Sequence, residues 1–232
     1  MAVTQRVADP RSREEKLSDL RRQLASLPDR HRPVKTAEAP PEAPGIGPSA
    51  PPGGVGVLPV HPGIAHLLPG GGLQRGTVAT VSGAAALEVS LVATMTAAGA
   101  RVAVCGLPGF GALAAVEQGA DLGRIAIVPG PLPDPVVVAS ILLDGADVVL
   151  CGLGGISVPP SRARAITARA RSKGAVLLLK DGRWDGASLH LQARVRGYAG
   201  IGARSGRGRI RAVDVVFSAR GRGCLGGARM YG

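Results

Sequence analysis

Aromatic residues, cysteines and lysines are scarce in this chain of 232 residues, which has five aromatic side chains, three cysteines and four lysines. Cys105, Cys151 and Cys224 form no pair motif and the four histidines show no metal-ligand spacing, so neither a disulfide scaffold nor a metal site is expected. No apolar run approaches the ~18 residues that span a bilayer. The first 30 residues are charged throughout and lack the apolar segment of a secretory signal. We therefore expect a cytoplasmic protein with reduced thiols.

Positive charge is abundant but unevenly distributed. The formal net charge is +12, and residues 161–232 hold 16 basic and 3 acidic side chains, whereas residues 1–160 hold 12 basic and 13 acidic ones. A GC-rich genome would raise the arginine content everywhere, but it would not remove the acids from one end of the chain. The asymmetry therefore predicts, in the last third, a surface for a polyanion or an acidic partner.

The N-terminal part of the chain differs in composition from the rest. Leucines at 17, 20, 24 and 27 form one narrow stripe of a predicted helix over 11–27, which would dock on its own domain, a second copy or a partner. Nine prolines follow between Pro33 and Pro62, as in an extended linker. We predict an N-terminal helix at 1–28, a linker at 29–59, a core at 60–219 and a disordered Arg/Gly-rich tail at 220–232.

Short apolar runs alternate with helical spacing from residue 60 onward. The runs that read as strands lie at 78–81, 101–105, 125–128, 147–151 and 175–180. The helical segments lie at 90–98, 112–118, 135–143 and 161–172. Residues 188–196 and 210–217 then alternate with period two around a Gly/Arg-rich turn at 200–208. This order predicts an α/β fold with a mostly parallel sheet flanked by helices and an antiparallel hairpin at its end.

A strand, a glycine-containing turn and a helix are where a phosphate-binding loop occurs, and here that loop would run from Gly83 to Ser90. A working loop needs a second glycine and a lysine for the β and γ phosphates. Glu88 and Val89 stand at those two positions, and Ser90 alone keeps the hydroxyl that would bind magnesium. The fourth strand ends in Cys151 without a carboxylate, and no glutamate after the second strand could activate water. We therefore predict no catalytic residue, no cofactor and no ATP hydrolysis.

The order of segments resembles a RecA-type core. The stretch 68–77 (LPGGGLQRGT) is similar to the "L-GGL-G" opening of RecA-like proteins, Val81-Ser82-Gly83 falls where their phosphate loop begins, and 189–196 with 206–217 resembles their closing hairpin. Among proteins of this superfamily that lack the ATPase motifs, the chain resembles the actinobacterial ImuA-prime group in its size, its helix-plus-linker start, its degenerate loop and its Arg/Gly-rich end. The resemblance covers about residues 60–220.

This resemblance implies a non-catalytic accessory role in translesion DNA synthesis, mutagenesis and the SOS response to DNA damage. The implied partners are an ImuB-type, Y-family-like adaptor and, through it, an error-prone C-family polymerase and the sliding clamp, with nucleoid association when DNA is damaged. Two alternatives stay open: a SulA-like cell-division inhibitor, and a RecA-like protein that binds nucleotide or DNA. The division inhibitor makes no use of the long linker or of the arginine-rich end.

The candidate contact residues are leucines of the N-terminal helix and basic residues of the last third. The predicted partner-binding residues are Leu17, Leu20, Leu24, Leu27, Arg204, Arg207, Arg209, Arg211, Arg220, Arg222, Leu225 and Tyr231. The predicted contacts to phosphate or to an acidic partner are Arg162, Arg169, Lys173, Arg194 and Arg196. Arginine suits phosphate and carboxylate alike, so DNA backbone and an acidic partner segment are both open. Few aromatic residues accompany these arginines, which favours docking on a partner over stacking on bases.

Overall fold

The structure is a computed structural model that describes residues 56–201, 208–224 and 227–231. The predicted N-terminal helix at 1–28 and the predicted linker up to residue 55 lie outside the described residues. The same holds for the four leucines of that helix, for Arg204 and Arg207 in the hairpin turn, and for Leu225. The side chain of Tyr231 is likewise not described.

The described residues contain twelve strands and five α-helices. The strands are β1 (Val57–Pro59), β2 (Gly72–Gln74), β3 (Val78–Gly83), β4 (Val102–Cys105), β5 (Ile125–Val128), β6 (Val148–Gly152), β7 (Ser157–Val158), β8 (Val176–Lys180), β9 (Arg183–Trp184), β10 (Leu189–Ile201), β11 (Gly208–Gly221) and β12 (Gly227–Tyr231). The helices are α1 (Pro62–Ala65), α2 (Ala86–Ala97), α3 (Ala112–Glu117), α4 (Pro135–Leu142) and α5 (Pro160–Lys173). Short 3₁₀ turns lie at Pro69–Gly71 and Leu122–Arg124. None of the described helices is long and apolar enough to cross a membrane.

Eight of these strands form one mixed sheet in the order β12-β11-β10-β3-β8-β6-β4-β5. Neighbouring strands from β10 to β5 pair in parallel, whereas β11 pairs antiparallel with both β10 and β12. Two small sheets lie beside it, one of β1 with β2 and one of β7 with β9. The predicted fold class, a mostly parallel sheet with helices and a closing antiparallel hairpin, is confirmed.

The central strands are apolar without alternation because helices cover both faces of the sheet. Every residue of β4 and β6 is buried, as is every residue of β8 except Lys180. One face packs against α2, α1 and the β1–β2 pair, and the opposite face packs against α4 and α5. The start of α4 is fixed by sequence: Asp134 caps it by accepting hydrogen bonds from the backbone of Val136 and Val137, and Pro135 occupies the first turn.

Three element boundaries differ from the sequence-based expectation. Helix α2 begins at Ala86 rather than at residue 90, so most of the predicted phosphate loop is helical. The body begins before residue 60, because Leu58 of β1 is buried and pairs with Leu73 of β2. The tail at 220–232, predicted to be disordered, contains β12, whose backbone pairs with β11 at Phe217 opposite Ala228. Glycine-rich composition hid this strand because the pairing uses backbone groups and needs few apolar side chains.

Asp147, just before β6, joins the amino ends of several strands. Its Oδ1 accepts a hydrogen bond from Arg75 Nη1 at 2.8 Å, and its Oδ2 accepts one from the backbone N–H of Arg101 at 2.9 Å. Burial on its own raises the pKa of the Asp147 carboxyl. The Arg101 N–H and the Arg75 guanidinium outweigh that effect and hold this pKa below its usual range. The ionised form of Asp147 is therefore part of the folded state.

Changing Asp147 to Asn should lower the free energy of unfolding at pH 7 by about 2 kcal/mol, because the charged acceptor of both hydrogen bonds is lost. A folded-state pKa below the unfolded value of about 3.9 stabilises the fold above that pH, and the contribution disappears as the pH falls through the folded value. Urea unfolding should be measured at several pH values. The difference in free energy of unfolding between the unaltered chain and Asp147→Asn should become smaller below about pH 4. The exposed Asp185, changed to Asn, is the matched control. A difference that stays constant at every pH would contradict the assigned role.

Candidate functional site

The turn between β3 and α2, where a RecA-type fold would hold phosphate, is packed against strand β10. Gly83 has φ +89°, and a Cβ there would lie 1.9 Å from the carbonyl oxygen of Ala193. The next N–H, of Ala84, donates to that same oxygen at 2.9 Å. The first glycine of the loop is thus required for close approach of two backbones, and the N–H that follows it is satisfied within the protein.

Three further polar groups of this turn also have partners within the protein. The N–H of Leu87 donates to Ala84 O at 3.1 Å, and the N–H of Val89 donates to Ala85 O at 3.1 Å, as in an ordinary helix start. The hydroxyl of Ser90 is buried and donates to Leu87 O at 2.9 Å. A phosphate loop instead presents its N–H groups and its hydroxyl to the ligand. The backbone here forms a closed turn.

Glu88 lies in this turn and forms a buried ion pair with Lys180. Its Oε2 is 2.5 Å from Lys180 Nζ, and the exposed fractions of the two side chains are 4% and 14%. Lys180 is the last residue of β8, which pairs with β3 at Val81 opposite Lys180. The pair therefore places a carboxylate and its counter-charge beside the position of a bound phosphate. Sequence reasoning missed Lys180, although a single charge that ends an otherwise apolar strand was the available signal.

The strand that would carry the magnesium-binding acid ends without one. Cys151 and Gly152 of β6 are buried, and Cys151 stands in register with Cys105 of β4. The contact with the Cys105 thiol and burial together raise the pKa of the Cys151 thiol above its usual range. These two cysteines thus lie at the ends of adjacent parallel strands as small buried residues.

A cleft of about 630 Å³ opens beyond these cysteines, at the carboxyl ends of β4, β5 and β6. Gly106 and Gly152 lie close together at its base, since a Cβ on Gly106 would lie 2.7 Å from the carbonyl oxygen of Gly152. Prolines, glycines and leucines form most of the wall. The charged groups at the cleft are Arg162 and Asp134, which are paired with each other.

The basic residues predicted on helix α5 have acidic partners. Arg162 pairs with Asp134 at 2.5 Å, and Asp144 pairs with both Arg169 at 2.5 Å and Lys173 at 3.1 Å. The hydrogen bond from Arg169 is the main reason that the pKa of Asp144 lies below its usual range. The basic surface of this helix was predicted from the charges of the helix alone. The aspartates before and after α4 lie too far away in sequence for their ion pairs with the helix to be foreseen.

The basic residues predicted on the hairpin do not form one surface. Arg194 and Arg220 lie on the sheet face away from α2, whereas Arg211 lines a groove with Val213 and Phe217 on the other face. Arg196 is exposed at an irregularity of β10, and Arg209 and Arg222 are exposed as well. Sequence spacing could not separate these arginines, because the irregularities of strand pairing lie between them.

Comparison with known proteins shows a family, a relative and a solved structure to which this chain is similar. The family described as "MT3502 N-terminal domain" matches residues 66–186. A protein of Mycobacterium tuberculosis titled "Uncharacterized protein Rv3395c" is 50% identical over 163 residues, which cover 67% of this chain and 80% of that protein. The crystal structure of the RadB recombinase matches with a TM-score of 0.51 and 16% identity, covering 73% of this chain and 91% of that one. At this identity the likeness to RadB shows a RecA-like fold alone.

Replacing Glu88 by Gln should cost about 3–5 kcal/mol of stability, because the Lys180 ammonium would then be buried without its counter-charge. The double change Glu88→Leu and Lys180→Met removes both charges and should recover most of that loss. Urea unfolding of the two variants measures both effects, with the exposed Glu117→Gln as the matched control. If Glu88→Gln were no more costly than the control, the ion pair would have no structural role.

Proposed function

We propose that this chain, which belongs to the MT3502 N-terminal domain family, is a non-catalytic accessory protein of damage-induced translesion DNA synthesis, of the ImuA-prime type. In this role it binds an ImuB-type adaptor and, through that adaptor, acts with an error-prone C-family polymerase and the sliding clamp. It works in the cytoplasm and associates with the nucleoid when DNA is damaged. The fold serves as a scaffold whose outer surfaces meet partners.

The observation that supports the proposal is that the protein's own side chains occupy the position where a phosphate loop would bind its ligand. Glu88 brings a carboxylate to the place where a triphosphate would lie, and Lys180 is engaged with that carboxylate at 2.5 Å. The N–H groups of Ala84, Leu87 and Val89 and the Ser90 hydroxyl have partners within the chain. A protein that kept this fold for ATP turnover would leave those groups available, so a scaffolding role accounts better for the closed turn.

Two surfaces are candidates for the adaptor. The leucines at 17, 20, 24 and 27 would form an apolar stripe on the helix predicted from the sequence, and a segment rich in proline follows them along the chain. The exposed arginines of the hairpin, such as Arg209 and Arg211, suit an acidic segment of a partner. A division inhibitor would need neither feature.

Isothermal titration calorimetry with ATP and magnesium tests the closed turn directly. We expect no heat of binding at about millimolar nucleotide, because entry of phosphate would require breaking the Glu88–Lys180 pair and the backbone bonds of the turn. The change Glu88→Gly with Val89→Lys should be compared in the same titration, after its folding is checked by circular dichroism. Micromolar binding of ATP to the unaltered chain would overturn the non-catalytic assignment.

Affinity co-purification from DNA-damaged cells tests the partner. The unaltered chain should recover the ImuB-type adaptor, and either Leu20→Asp with Leu24→Asp or Arg209→Ser with Arg211→Ser should reduce that recovery several-fold by removing one contact surface. Point changes are preferable to removing the hairpin, because β11 contributes the buried Val215 and Phe217 to the core.

The matched control for the arginine variant is Arg164→Ser with Arg171→Ser, which removes the same charge from exposed positions of α5. This control should leave recovery unchanged. Recovery of a cell-division protein in place of the adaptor would favour the division inhibitor. Failure to recover the adaptor with the unaltered chain would contradict the proposed function.

A further inference from the structure

Half of one sheet face has no helix over it in the described part of the chain. Helices α4 and α5 cover β4, β6 and β8 on that side, and the covered area ends near Val78. Beyond it, residues that alternate with the buried ones of β3, β10 and β11 point outward. Ser82, Arg194 and Arg220 are exposed, and Thr80 and Gln192 are partly exposed. We call this area the open sheet face: Thr80, Ser82, His190, Gln192, Arg194, Val216, Ser218 and Arg220.

We propose that the open sheet face binds the phosphodiester backbone of duplex DNA. This contact goes beyond the accessory role proposed above, and it does not depend on which adaptor the chain recruits. The proposal rests on the register of three strands, on the charge that they expose, and on the kinds of side chain that they carry.

Strand register places these side chains in regular rows. His190 stands between Thr80 of β3 and Arg220 of β11, and in the next row Gln192 stands between Ser82 and Ser218. The third row has Arg194 opposite Val216. Successive rows are about 6.6 Å apart along the strands and neighbouring strands about 4.8 Å apart, so the rows form a regular array of mostly polar side chains. The Thr80 hydroxyl and His190 Nδ1, 2.7 Å apart, tie two strands together within it.

The positive charge of this face is not neutralised by the described residues. Neither Arg194 nor Arg220 has an acidic partner among them, in contrast to Arg162, Arg169 and Lys173 on α5. The sequences of β3, β10, β11 and β12 together contain six arginines and one acid, Asp214. By alternation Asp214 lies on the same side of β11 as Val216, Ser218 and Arg220, and its Oδ1 is buried. An anion that approaches Arg194 or Arg220 therefore meets an arginine without an acidic partner among the described residues.

The side chains of the face match phosphate oxygens better than bases. Arginine, hydroxyl and amide groups are the side chains that contact DNA phosphates, and they do so without reading sequence. The eight residues of the open sheet face include no phenylalanine, tyrosine or tryptophan, so the face offers little area for stacking unpaired bases. It is a sheet face rather than a strand edge, so an extended peptide could not pair its backbone there. These features favour the backbone of a duplex over a single strand or an acidic peptide.

Fluorescence anisotropy with the full chain and a labelled duplex of about 20 base pairs tests the proposal as the NaCl concentration rises from about 50 to about 200 mM. We expect Arg194→Gln with Arg220→Gln to weaken binding about tenfold at low salt and to reduce the slope of log K against log[NaCl] by about 2, one unit per lost phosphate contact. Ser82→Glu, which puts a carboxylate on the face and leaves both arginines in place, should also weaken binding. Circular dichroism melts show that each variant is folded.

The matched control is Arg164→Gln with Arg183→Gln, which removes the same charge from exposed positions elsewhere. Affinity and slope should stay near those of the unaltered chain. An equal loss in the control, or no loss in the Arg194 and Arg220 variant, would overturn the assigned face. If a single strand bound more tightly than the duplex, or if an acidic peptide competed equally well, duplex DNA would not be the ligand of this face. Loss of the adaptor in co-purification would leave this result untouched, so the two proposals fail separately.

Discussion

The buried ion pair between Glu88 and Lys180 constrains the whole site. A carboxylate and an ammonium that are both removed from water need each other, because either one left alone would carry a large desolvation cost. The pair joins the first turn of α2 to the end of β8, and the β3–α2 turn is closed beside it by hydrogen bonds to Ala193, Ala84 and Ala85. The fold thus keeps its geometry, and a charge pair stands where a phosphate loop would bind phosphate.

With that position filled, the parts of the molecule that remain available are its surfaces. Two of these surfaces differ in whether their basic residues are paired with acidic ones. On α5, Arg162, Arg169 and Lys173 meet Asp134 and Asp144, which hold them against α4 and its flanking loops. On the open sheet face Arg194 and Arg220 have no ion-pair partner among the described residues. Paired and unpaired basic residues thus lie on different surfaces of the protein.

Much of the fold could be predicted from local pattern. The strands at 147–151 and 175–180 are runs of apolar residues that only a sheet covered on both faces can bury, and Asp134-Pro135 sets the start of α4 whatever surrounds it. Helix α2 was placed too late, because Ala84, Ala85 and Ala86 give no signal that separates a loop from a helix. Strand β12 was missed because it depends on the edge that β11 offers to it.

The sequence by itself determined the fold class, the loss of the lysine and the second glycine at the phosphate loop, and the concentration of positive charge in the last third. Those properties depend only on residues that are neighbours in the sequence or on the composition. Tertiary structure alone decided that Lys180 meets Glu88, 92 positions away, that Arg162, Arg169 and Lys173 of α5 have acidic partners, and that Arg194 and Arg220 share a face without Arg211. Such outcomes depend on strand order and on the register of distant strands, which bring charges together irrespective of their separation along the chain.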